Sequence, residues 1–265
     1  MDFRTPVTIT EPSFRIEPLE QILFVGSCFA DNIGQRFVEN KFRATVNPYG
    51  VMYNPVSILH TVMRTSDTFP VAFFTLGTNH VYRLKETGEI VDNCEKRPHH
   101  LFQEETLTVS QCADYLRKAI ALLQSRSADV EVVLTVSPIR YRKYGYHGSQ
   151  LSKATLLLAA DEVAKMPNVH YFPAYEIVND ELRDYRFYAA DMLHPSEQAV
   201  DYIWERLCET YLSDRARQFL SEWQPVRQAL GHKPFAPESE AYRTFMNKTM
   251  LKVEELRKKY GNFAL

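Results

Sequence analysis

Short continuous apolar runs alternate along the chain with stretches in which apolar residues recur every three or four positions. The run Gln21-Ile-Leu-Phe-Val-Gly26 predicts a buried strand that stops at Gly26-Ser27. From Cys28 to Asn40 the spacing of Phe29, Ile33 and Phe37 predicts a helix with one buried face. A second strand is expected over Val71-Ala-Phe-Phe-Thr-Leu76, ending at Gly77-Thr78-Asn79, and a helix from Val109 to Gln124, with Tyr115, Leu116, Ala119, Ile120 and Leu123 as its apolar face. Val130 to Val136 reads as a third strand, Ser152 to Lys165 as a helix, Val169 to Phe172 as a fourth strand, and Ser196 to Leu212 as a helix with Ala199, Ile203 and Leu207 on one side. Strands alternating with helices predict an α/β fold. Beyond Ser213 the pattern stays helical but more charged, broken by Gly231-His-Lys-Pro-Phe-Ala-Pro237. Its apolar content is too thin for a core of its own, so residues 213–265 are expected to be a helical extension packed on a domain spanning 1–212.

The composition narrows the function classes. The chain has 265 residues, 31 Lys+Arg against 33 Asp+Glu, and 45% hydrophobic residues, which excludes a disordered or disulfide-dense chain. A net charge of -2 gives no reason to expect nucleic acid as a partner. The four cysteines, Cys28, Cys94, Cys112 and Cys208, are scattered and form no CxxC pair. The N-terminus lacks a basic and then apolar leader, and no apolar run approaches the roughly 20 residues of a membrane span. A cytoplasmic protein with reduced thiols is expected.

Two segments carry candidate chemistry. Ser27 falls where a strand meets a helix, and in an open parallel sheet ligands bind beyond the carboxyl ends of the strands. The free N–H groups and positive end of the following helix favour an alkoxide and an oxyanion there. Taken alone, the segment reads first as Ser27 capping that helix. In Asp191-Met-Leu-His194-Pro195 the spacing lets the carboxylate reach the imidazole and set its tautomer, which a serine nucleophile needs. The plainer alternative is a loop histidine before a helix, with Pro195 in its first turn. Asn79 in Gly77-Thr-Asn79 and the Gly50 N–H in Asn47-Pro-Tyr-Gly50 could serve an oxyanion, although singly each reads as a turn.

Taken together, the Ser, Gly-x-Asn and Asp-x-x-His blocks reproduce the order of the SGNH (GDSL-type) hydrolases. More closely, Gly26-Ser27-Cys28-Phe29-Ala30 resembles the namesake motif of the GSCFA family, and the resemblance continues through residues 47–55, 75–78, 81–82, 93–94, 135–138, 180–188 and 191–195. The sequence departs from GDSL enzymes in having Gly-Ser-Cys where they have Gly-Asp-Ser, and Gly-Thr-Asn-His where many have Gly-x-Asn-Asp. The resemblance implies a three-layer α/β/α sandwich with a short parallel sheet in flavodoxin-like order. It implies Ser27 as nucleophile, His194 as base and Asp191 as its orienter. The oxyanion donors it implies are the Ser27 and Gly50 N–H groups and an Asn: Asn79, with Asn54 and Asn93 as rivals. Tyr53, Asn54 and Arg140 are the expected substrate contacts.

The expected activity is a serine esterase acting on an O-acetyl group of a carbohydrate, with no metal or organic cofactor. The alternatives are an acyltransferase of the same mechanism and a non-catalytic module that binds a glycan or a protein. Cys28 could itself attack, but successive helical residues point about 100° apart, so only one of Ser27 and Cys28 can face His194; Cys28 is expected to pack as a small apolar group. Cys94, His99 and His100 lack the spacing of a zinc site and read as a polar loop. Arg140 and Arg142 either face the cleft or lie solvated in a loop. Arg183, Asp184 and Arg186 are expected to brace the Asp191–His194 loop through ion pairs.

Overall fold

The computed structural model describes residues 4–92, 94 and 97–265. In chain order the elements are β1 (Gln21–Gly26), α1 (Cys28–Glu39), β2 (Arg43–Val46), α2 (Pro55–Arg64) and β3 (Val71–Leu76). A small antiparallel trio follows, β4 (His80–Leu84), β5 (Ile90–Val91) and β6 (Phe102–Thr106). Then come α3 (Val109–Arg126), β7 (Glu131–Val136), α4 (Gly145–Val163), β8 (Val169–Tyr171) and the single turn α5 (Ala174–Glu176), which runs into a π-helical segment, Ile177–Leu182. The chain ends with α6 (Glu197–Tyr211), α7 (Asp214–Leu230) and α8 (Glu240–Tyr260).

The main sheet is parallel, in the order β2-β1-β3-β7-β8. This is the doubly wound order expected, with its switch point between β1 and β3. All six residues of β3 are buried, as a central strand covered on both faces requires. Side chains alternate between two cores. Ile22 and Phe24 of β1 and Val71 and Phe73 of β3 face one side, where Phe29, Ile33 and Phe37 of α1 and Ile203 and Leu207 of α6 cover them. Leu23, Val25, Ala72, Phe74 and Leu76 face the other, beneath Val56 and Val62 of α2, Leu116 and Ile120 of α3, and Leu156 and Val163 of α4. Phe24 and Phe73 stack at 4.8 Å between ring centres.

The C-terminal helices join the first of these cores. Phe219, Trp223 and Val226 of α7 and Val253 and Leu256 of α8 are buried in it, and the Trp223 indole donates to the Glu39 carbonyl at the end of α1 (3.0 Å). Among the described residues no helix is long and apolar enough to cross a membrane.

The switch point is held by close backbone contacts. Gly26 has φ +150°, and a side chain there would meet the Thr75 carbonyl and hydroxyl at 2.3 Å, so only glycine lets β1 lie this close to β3. The Gly26 N–H donates to Asn47 Oδ1 (2.8 Å), and Asn47 Nδ2 donates to Asp31 Oδ1 (2.6 Å) in the first turn of α1. One amide thus ties the end of the strand to the start of the helix.

Candidate active site

The Asp191–His194 turn is built around one carboxylate. Asp191 Oδ1 accepts the N–H groups of Leu193 (2.8 Å) and His194 (3.0 Å), while Oδ2 pairs with His194 Nδ1 at 2.6 Å. The hydrogen bonds from the His194 N–H and ring, and then that from Leu193, hold the Asp191 carboxyl far below the usual range, so it is a carboxylate at neutral pH. With Nδ1 bound to an anion, Nε2 is the nitrogen left with a lone pair. The turn places Met192 at φ +60°, a conformation costly for a side chain of this kind. It is secured by Ala189 N–H donating to the His194 carbonyl (2.7 Å) and by a bridge between Tyr188 and Pro195. Ser196 caps α6 just beyond it.

Arg140, beyond the end of β7, straps this turn to the sheet. Its N–H donates to the Leu193 carbonyl (3.0 Å) and Nη1 to the Met192 carbonyl (2.9 Å). Its guanidinium lies over the rings of Tyr146 (4.2 Å), Tyr188 (5.4 Å) and Tyr185 (5.7 Å). Arg142 is exposed. The Arg183–Asp180 and Arg186–Asp184 pairs are also exposed, at 3.5 and 3.7 Å, and such pairs contribute about 0–1 kcal/mol. The stronger brace in this segment is one that the sequence did not reveal. Buried Glu181 accepts from Arg206 Nη1 (2.8 and 2.9 Å), from the Tyr202 hydroxyl and from the Val7 N–H (2.9 Å).

At the β1–α1 junction, Ser27 is the cap of α1 and 0% exposed. Its Oγ accepts the Phe29 N–H (3.3 Å) and shares a hydrogen with Thr75 Oγ1 (3.2 Å). The Ser27 N–H is directed to the Thr75 carbonyl (3.2 Å) and hydroxyl (3.0 Å). Ser27 is thus engaged at every polar atom with the sheet or its own helix, and no hydrogen bond joins it to His194 among the described residues.

Cys28, the first residue of α1, is partly exposed. Burial pushes its thiol up; against this act the Cys28 N–H, Lys153 and the Phe29 N–H, while Asp31 adds to the rise. Lys153 of α4 is the least expected neighbour. It is 1% exposed, and Nζ donates to the carbonyls of Gly77 (2.8 Å) and Ser137 (2.7 Å) beyond β3 and β7. Burial pulls its amine down to about 7, offset in part by Cys28. Tyr141 lies against the same group. Its Oη is buried without a partner among the described residues and would sit 2.6 Å from a side chain at Gly77, and burial, then Cys28 and Tyr53, hold its phenol protonated. Tyr53 packs edge-on to Tyr141 at 6.4 Å. Lys153 was legible in principle, since it falls on the α4 face made by Ser149, Ser152, Leu156, Ala159 and Val163.

The proposed oxyanion donors are differently placed. The Gly50 N–H donates to the Asn47 carbonyl (2.8 Å) and Asn79 Nδ2 to the Leu107 carbonyl (2.8 Å), so both are engaged within loops. Asn54 caps α2 through Oδ1, which accepts from the Ser57 N–H (3.0 Å) and hydroxyl (3.1 Å), and its Nδ2 makes no hydrogen bond among the described residues. Asn54 follows Tyr53, whose carbonyl takes the Gly77 and Thr78 N–H groups at the end of β3 (2.9 and 2.8 Å). Asn93 lies outside the described residues. Cys94 is partly exposed, His99 and His100 form an exposed 3₁₀ turn, and among the described residues no group of three or more His, Cys, Asp or Glu could hold a metal.

Comparison with known families assigns the chain. The model described as GSCFA family matches residues 21–70 and 64–207, and that described as GSCFA domain protein, C-terminal domain, matches residues 223–265. The chain belongs to the GSCFA family. The first match spans both the Ser27–Cys28 junction and the Asp191–His194 turn, and the second covers the C-terminal part of α7 from Trp223 and all of α8. No curated protein sequence matches. Solved structures similar to the GSCFA chain include a member of the lipolytic protein G-D-S-L family from Veillonella parvula (15% identity, TM-score 0.48, 72% of this chain and 97% of that one). Others are a carbohydrate esterase family 3 protein from Talaromyces cellulolyticus (9%, 0.41, 77% and 99%) and a family two carbohydrate esterase from Clostridium thermocellum (12%, 0.39, 73% and 64%).

The depressed amine of Lys153 makes stability depend on pH in a definite direction. Its pKa is about 7 in the folded chain and about 10.4 unfolded, so between these values only the unfolded chain keeps the proton and stability rises with pH. Urea midpoints at pH 7 and pH 9.5 should increase more for the native protein than for Lys153→Met. An equal change in both would refute the buried-amine description.

Proposed function

We propose that the chain is an esterase-type hydrolase that works through a covalent acyl-enzyme. His194 is its general base and acid, Asp191 holds the imidazole tautomer, and the nucleophile stands at the junction of β1 and α1. The observation that carries this reading is the 2.6 Å Asp191–His194 pair, whose carboxylate is fixed by two further N–H groups and whose Nε2 is left free to take a proton. The junction offers two adjacent nucleophiles, the Ser27 hydroxyl and the Cys28 thiol. The N-terminal N–H groups of α1 and the Asn54 Nδ2 amide are the donors offered to a developing oxyanion. The cycle needs neither metal nor organic cofactor.

The substrate class proposed is an O-acetyl group on a carbohydrate. Exposed Tyr53, Tyr146 and Tyr185 offer ring faces of the kind on which sugars stack, and Arg140 holds two of these rings beside the Asp191–His194 turn. A small acyl group is favoured because the space over Gly77 is taken up by Tyr141 Oη and the Tyr53 carbonyl.

The test is turnover of p-nitrophenyl acetate and of an acetylated sugar across pH 5–8. Acetate release is expected, with a rate that falls on the acid side as the imidazole takes a proton. Sugar binding without acetate release would instead make the chain a binding module.

A further inference from the structure

The two candidate nucleophiles are neighbours in sequence but occupy different environments. Ser27 is closed off beneath the strand ends, with its hydroxyl shared between Thr75 Oγ1 and the Phe29 N–H. To attack an acyl carbon it would have to give up the cap of α1 and turn out of a fully buried position.

Cys28 begins the helix half-buried, packed in part against the first core as expected of a small apolar group, but its sulfur carries no hydrogen bond to the sheet among the described residues, and its own N–H and that of Phe29 act on it. Near the junction the Met52 N–H donates to the Gly26 carbonyl (2.7 Å), Tyr53 follows and packs on Tyr141, and the buried Lys153 amine lies 5.2 Å from the Tyr141 ring, whose hydroxyl lacks a partner among the described residues. The charge of the Cys28 thiolate is felt at Lys153, Tyr53 and Tyr141. A buried hydroxyl normally has a partner, so the Tyr141 hydroxyl is a donor available to a ligand atom. The loop beyond β7 touches both halves of the site, since Arg140 holds the turn that carries His194 and Tyr141 packs on Tyr53 and Lys153 near the junction.

We propose, resting on the hydrolase reading above, that the attacking atom is Cys28 Sγ and that the intermediate is a thioester, with Ser27 acting as the cap that positions it. The sulfur bonds to the acyl carbon as the thiol proton passes to His194 Nε2. The ester C–O bond breaks and the same proton goes to the departing alcohol. Water then adds to the thioester, giving a proton to His194, and the C–S bond breaks as the thiol recovers it. The net change is one ester and one water to one acid and one alcohol.

The test uses the full chain, p-nitrophenyl acetate as acyl donor, rapid acid quenching and mass spectrometry with fragmentation, alongside Cys28→Ala, Cys28→Ser and His194→Ala. The native protein should carry one acetyl group located on Cys28 and released by neutral hydroxylamine, as a thioester is. Cys28→Ala should take none and lose at least about 10³-fold in turnover. Cys28→Ser, the near-isosteric control for folding, should either take acetyl as an oxyester that resists neutral hydroxylamine or take none. Acetyl located on Ser27, or undiminished turnover by Cys28→Ala, overturns the assignment to sulfur. If that happens while His194→Ala is inactive, only the nucleophile is wrong. If His194→Ala also keeps native turnover, or the native protein neither turns over nor acquires acetyl, the hydrolase reading falls with it.

Discussion

Asp191→Asn is expected to lower turnover of p-nitrophenyl acetate by about 10³–10⁴ while the chain stays folded, and His194→Ala by about 10⁴ or more. The asparagine preserves the shape of the turn, because its side-chain oxygen can still accept the Leu193 and His194 N–H groups that Oδ1 accepts now. It removes the anion that holds a proton on Nδ1. The amide can present a donor to Nδ1 instead, which moves the ring proton to Nε2, the nitrogen that must act as base. The loss should therefore fall in kcat, with circular dichroism and the urea midpoint close to native. A loss in KM alone, or no loss, would make the pair a structural feature of the turn.

The second large effect is on stability. Arg206→Ala should destabilise the chain by about 3–5 kcal/mol, because it strands a buried carboxylate. Glu181 is 3% exposed, and Arg206 Nη1 approaches both of its oxygens at 2.8–2.9 Å. Arg206 Nη2 also donates to the Val7 carbonyl (2.9 Å), so the same change releases the N-terminal segment from α6. Paired substitution of Glu181→Gln with Arg206→Met should recover much of the loss, since the unpaired charge is then gone. Urea denaturation of the single and double variants measures this directly, and additive losses would contradict a coupled buried pair.

The parts of the fold that could be read from sequence were those with a sustained period. β1, β3 and β7 are apolar runs buried on both faces, and α1, α3 and α6 carry clean stripes, so their positions were recovered to within a few residues. β2 was missed because its four residues, Arg-Ala-Thr-Val, are only half-buried at the sheet edge and show no pattern. The antiparallel trio escaped for the same reason, as β5 has two residues and β6 reads Phe-Gln-Glu-Glu-Thr. The α2 helix begins at Pro55 after its Asn54 cap, a start signal that was read only as part of a motif. The α4 helix begins at Gly145, seven residues before the apolar pattern that announced it, through Gly-Tyr-His-Gly, which has low helical propensity.

The site was legible as a place and only partly as a set of atoms. The Asp191–His194 spacing encodes a local turn, and the contact it predicts is present. The rule that only one of Ser27 and Cys28 can face His194 follows from helix geometry. That Ser27 is fastened inward depends on Thr75 of a strand some fifty residues later. Lys153 and Tyr141 gather at the junction through α4 and the loop after β7, and nothing local to either residue announces that meeting.

The most direct measurement is a crystal structure of the protein with the acyl group trapped at the junction. The distance that matters runs from His194 Nε2 to the acylated atom. The account predicts hydrogen-bonding reach, about 2.6–3.2 Å or one intervening water. An imidazole facing away from the adduct, farther than a water can bridge, would contradict it.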